Sequence, residues 1–141
     1  MELLHTIAMP SSWMSRGGPK FKMELGRLCT ISIYFDETSN YSAVLEFDGV
    51  EAYKCTYYMA IDVSLIEAAY DKVVDLGETQ WLAHVRGNLE RSKWEDRRWG
   101  RARLRHLAVM FDDGPAWEFI CRTFSVQEDG TPETVPNRAR I

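Results

Sequence analysis

His106 interrupts an apolar strand face. Ala102, Leu104, Ala108 and Met110 share its parity, so an imidazole stands among side chains that belong in a core. Partial burial shifts an imidazole's proton affinity and can make it a general base. Glu118 lies beyond an Asp112-Asp113-Gly114-Pro115 turn and is the carboxylate that can join it, provided both side chains enter one cleft. The simpler account of a lone strand histidine is a core residue bonded to a backbone carbonyl. Asp112, Asp113 and Glu118 also make an acidic group able to share a proton or hold a hard cation. Aspartates beside Gly-Pro are ordinary turn formers, however, and the regularly spaced oxygens of a calcium loop are absent. His5 and His84 are far from His106 in sequence, so no metal site is expected.

A basic stretch is the next candidate. Arg91, Lys93, Arg97, Arg98, Arg101, Arg103 and Arg105 are interleaved with Trp94 and Trp99. Guanidinium groups neutralise phosphates and indoles stack on unpaired bases, the two components of a nucleic-acid surface. Glu90, Glu95 and Asp96 lie among these cations. Arg91 with Glu95 and Glu95 with Arg98 have the spacing of ion pairs along a helix, which makes a solvated helix face the expected reading. Tyr53, Tyr57 and Tyr58, with Tyr34 and Tyr41, form an aromatic group. Exposed tyrosines suit protein interfaces because they bury much area at small entropic cost.

Hydrolase, phosphate-binding and zinc-protease signatures are missing. Gly17-Gly18-Pro19-Lys20 lacks the amide that Pro19 removes and the strand-to-helix setting of a phosphate loop. Cys29, Cys55 and Cys121 form no Cys-x-x-Cys pair, and each lies in an apolar run, so three buried thiols in a reducing cytoplasm are expected. No cofactor is implied.

These side chains must be carried by a sheet with helices. Leu25, Cys29, Ile31, Ile33 and Phe35 alternate with polar residues, as do Tyr41, Ala43, Leu45 and Phe47. Asp48-Gly49 accepts the positive φ of a tight hairpin turn and predicts a third strand over 50–61 that completes a meander. Ser64 and Glu67 have capping-box spacing, and the periodicity predicts a helix over 64–76 closed by Gly77. Thr79 caps a shorter helix with Trp81, Leu82, Val85 and Leu89 on its buried side, its end weakened by Gly87. A closing hairpin over 102–112 and 116–127 carries bulky residues at both parities, so both of its faces should be covered. Residues 1–22 read as loop-rich, with Leu3, Leu4 and Ile7 in a short strand or helix, and 128–141 as an irregular tail.

The order β-β-β-α-α-β-β predicts one α+β domain over 1–141, a twisted antiparallel sheet of about five strands with one or two helices on one face. The chain has 141 residues, 45% hydrophobic and 27% charged, which suits a globular domain rather than a disordered one. Its net charge of -4 disfavours non-specific adhesion to nucleic acid or acidic membranes. The N-terminus has no basic leader, and no run approaches a membrane span. The expectation is a cytoplasmic, non-enzymatic domain that binds another protein, as inhibitors, immunity-type proteins and adaptors do, or a second copy of itself. Tyr53, Tyr57, Trp94 and Trp99 would anchor the contact. Two alternatives are nucleic-acid binding through Arg91, Lys93, Arg97, Arg98 and Arg101, and a small enzyme or ligand-binding domain with a pocket near His106 and Glu118.

Overall fold

Strand alternation builds the outer layer of the molecule. A computed structural model describes residues 1–7, 19–34, 41–92, 103–111 and 115–127. In β3 (Leu28–Tyr34), Cys29, Ile31 and Ile33 are buried on one face, and in β4 (Tyr41–Asp48) Ala43, Leu45 and Phe47 are. The two pair antiparallel with Cys29 opposite Phe47 and Ile31 opposite Leu45, which puts the apolar sets on the same side. β2 (Lys20–Glu24) adds to β3 and β9 (Thr123–Gln127) to β4, giving a sheet of order β2-β3-β4-β9.

A second antiparallel sheet has the order β1-β6-β7-β8-β5. Its strands are β1 (Glu2–Thr6), β5 (Ala52–Thr56), β6 (Lys72–Asp75), β7 (Arg105–Met110) and β8 (Ala116–Cys121). β7 and β8 form the expected closing hairpin only as far as Cys121, and every residue of β8 is buried. The strand expected over 116–127 breaks at Arg122, and its second half crosses to the other sheet as β9 beside β4. One face of this sheet, with Leu107, Val109, Trp117, Phe119 and Cys121, packs on the first sheet. Phe47 and Phe119 stack there with ring centroids 4.0 Å apart. The other face lies beneath two helices, α1 (Val63–Ala69) and α2 (Gln80–Ser92). Ala69 of α1 packs with Val74 and Ala108, and Leu82 of α2 packs with Leu104 and Ile120. The chain is a single α+β domain, mostly antiparallel sheet with helices on one face.

Several local expectations change. A second sheet covers the face left open by the five-stranded prediction. The third strand does not complete a meander: β5 pairs with β8 in the other sheet. Gly49 does take a positive φ of 67°. There, however, the chain passes between sheets, with the Val50 amide donating to the Arg27 carbonyl and the Glu51 amide to Ile120. β5 ends at Thr56, and a 3-10 turn follows over Tyr58–Ala60. α1 stops at Ala69 rather than 76. Val73 and Val74 fit both periods, but they are β-branched and fill the slot between β1 and β7, where pairing on both edges outweighs one more helical turn. Asp71, in the left-handed region at φ 54°, makes the reversal. The cap of α1 is Asp62, whose carboxylate accepts from the Ser64 amide at 3.1 Å, not the Ser64–Glu67 box. Thr79 caps α2 as expected, accepting from the Leu82 amide at 3.2 Å, and Gly87 sits inside that helix. Leu25 leaves the strand pattern for the turn between β2 and β3 and is fully exposed. Leu3 and Leu4 belong to a strand. Cys29 and Cys121 are buried thiols, whereas Cys55 is exposed because the edge strand β5 leaves that position uncovered. The tail over 128–141 lies outside the described residues.

Candidate functional site

The register of three strands lines up a polar row under the helices. Glu118 on β8 lies opposite Lys54 on β5 and Ala108 on β7. His106 on β7 lies opposite Ile120, so His106 and Glu118 are diagonal neighbours on one face, within reach of long side chains. His106 Nε2 is 2.9 Å from Glu118 Oε1. His106 Nδ1 is 2.7 Å from the hydroxyl oxygen of Thr79, the cap of α2. Lys54 Nζ stands 3.8 Å from Glu118 Oε2 and 4.4 Å from the centre of the Trp81 ring. Trp81, in the first turn of α2, meets the imidazole edge-on with centroids 5.1 Å apart.

Burial makes these partners necessary. His106 is 4% exposed and Glu118 7%. A carboxylate taken out of water must find both hydrogen bonds and an opposite charge. Glu118 finds the imidazole for the first and the Lys54 ammonium for the second. With a neutral ring, one set of roles satisfies every group: the Thr79 hydroxyl donates to Nδ1 while accepting from the Leu82 amide, and Nε2–H donates to Glu118. The helix cap, the base and the acid thereby form one chain of hydrogen bonds.

An open cleft of about 570 Å³ adjoins this chain between α1, β5 and the start of α2, walled by Lys54, Thr56, Ile61, Leu65, Thr79 and Glu118 among others. Thr79 and Glu118 reach the cleft; the imidazole lies behind them. Chemically the arrangement offers a hydroxyl bonded to a base, a base oriented by a carboxylate, and a space beside them. Elsewhere the two buried thiols offer little, since burial pushes Cys121 up to about 12 and Cys29 up to about 11.

The structure thus brings His106 and Glu118 together. It corrects the simpler account of His106, whose partners are side chains rather than a carbonyl. It also separates Glu118 from the turn, placing it inside β8. Asp112 and Asp113 lie outside the described residues, as do Lys93, Trp94, Arg97, Arg98, Trp99 and Arg101. Arg91 lies in the last turn of α2, exposed, and donates to the side-chain carbonyl of Asn88. Tyr53 turns to the other face of β5, with its ring 5.4 Å from Phe21, and stays 40% exposed. Tyr57 is 75% exposed. The side chains of Tyr34, Tyr41 and Tyr58 are outside those described. Lys54 and Trp81 were missed as site residues, and Thr79 was legible only as a cap. The hairpin register alone could have linked His106 with Glu118, but Lys54 enters through the non-local β5–β8 pairing. Among the described residues, no group of three or more His, Cys, Asp or Glu side chains is placed to hold a metal ion, and no helix is long and apolar enough to cross a membrane. Comparison of the chain with protein families, curated proteins and solved structures finds no match.

Proposed function

We propose that the protein is a binding domain for an extended segment of another protein, received along β5 and the stretch that leaves it. The observation that carries this reading is the coincidence of an open strand edge with apolar exposure. Among the described residues β5 pairs with β8 alone and is the last strand of its sheet. An edge strand offers unpaired backbone groups to an incoming strand. Just beyond it Tyr57, Met59 and Val63 are 75%, 91% and 66% exposed. Lys54 and Thr56 are shared between β5 and the cleft wall, so a strand added to this edge runs beside a pocket for one of its own side chains. The net charge of -4 favours a basic partner and faster encounter with it. The three cysteines are free thiols, consistent with a reducing compartment such as the cytoplasm.

A photo-crosslinking amino acid at position 57, in the native host, tests this. The expected result is one discrete adduct with another protein, absent when the crosslinker replaces Glu90 on α2. Identical adducts from both positions, or only adducts between copies of this chain, would refute the reading.

A further inference from the structure

We propose that Thr79 is a base-assisted nucleophile that accepts an acyl group from small activated esters bound in the cleft, an activity independent of any protein partner. The geometry is that of a nucleophile, a base and an orienting acid. The Thr79 oxygen is 2.7 Å from His106 Nδ1, and His106 Nε2 is 2.9 Å from Glu118 Oε1. The capping bond fixes the hydroxyl: its oxygen accepts from the Leu82 amide, which leaves its proton for the imidazole. Thr79 is half-buried and faces the cleft, so the nucleophile is reachable while its base is shielded from water. Ile61, Leu65, Ala68 and Leu76 give that cleft an apolar wall suited to a short acyl chain.

A helix cap requires only the contact between Thr79 and Leu82. The imidazole behind it, backed by a buried carboxylate with its own ammonium partner, is more than a cap needs. In the step, Thr79 Oγ attacks the ester carbonyl carbon and its proton passes to His106 Nδ1. The carbonyl carbon then releases the alcohol or phenol oxygen, which takes the proton back from Nδ1. The products are acyl-Thr79 and the free alcohol, with no oxidant or further reactant. Glu118 steadies the transient imidazolium through Nε2. The Leu82 amide, in the first turn of α2, donates to the Thr79 oxygen and keeps it placed beside the imidazole.

The test uses the whole protein with p-nitrophenyl acetate near neutral pH, following nitrophenolate release and mapping acetyl groups by peptide mass spectrometry. The expected result is a burst matched to acetyl on Thr79. Thr79→Asn keeps a capping oxygen and should abolish the burst without loss of fold. His106→Gln should slow acetylation of Thr79 about 100-fold. An unmodified Thr79 in the folded wild-type protein, while surface lysines acetylate, overturns the proposal whatever the variants do. Equal acetylation of Thr79 in His106→Gln overturns it as well.

Discussion

Replacing His106 and Glu118 by leucine, singly and together, measures how the buried row is held. His106→Leu leaves the Glu118 carboxylate with only the Lys54 ammonium, 3.8 Å away and half in water. Breaking a buried pair from one side costs about 3 kcal/mol at the lower end of the usual range, and the lower end applies because Lys54 remains. Glu118→Leu strands a neutral imidazole N–H in the core, at about 2 kcal/mol. Lys54 adds little there, since it returns to solvent. In the double variant neither orphan exists. Leucines there join the apolar floor formed by Ala108 and Ile120, so the loss should be about 2 kcal/mol, mostly from packing and from the Thr79 hydroxyl. The singles are then non-additive by about 3 kcal/mol, the upper end seen for residues in contact. Urea unfolding of the four proteins, compared at constant m, gives the cycle directly. A coupling below about 0.5 kcal/mol would mean the two side chains do not share a buried bond, and the account of the site would fall.

Phe119→Ala should cost about 3–5 kcal/mol by urea unfolding, because the ring stacks on Phe47 at the junction of the two sheets. A thiol reagent in mildly alkaline buffer should titrate Cys55 alone in the folded protein, with Cys29 and Cys121 appearing only on unfolding. The same burial makes stability fall in alkali. Folded-state thiols raised from 9.0 to about 11 and about 12 stay protonated where the unfolded chain has already lost its protons, so their contribution is complete below pH 9.0 and is lost as pH rises to about 12. Cys121→Ala should flatten that fall in a series of thermal unfolding scans; an unchanged slope would contradict the assignment.

Local chemistry made much of this protein legible without coordinates. Alternation marked β3 and β4, dense apolar residues at both parities marked the doubly covered β7–β8 hairpin, and Thr79 announced the start of α2. Each signal lies within a few residues of the structure it specifies. Val73 and Val74 read as helix because their preference for strand is satisfied only once β1 and β7 flank them. The Asp48-Gly49 turn points β5 to β4 for the same reason: its actual partner β8 lies sixty or more residues away, and nothing in that turn reports it. The candidate site shows the same division. The polar residues His106 and Glu118 stood out against their apolar runs, but their meeting with Thr79, Lys54 and Trp81 needs three strands and a helix end in one place. Sequence order encodes which residues dislike or tolerate burial; only chain closure over long separations decides which of them are buried together.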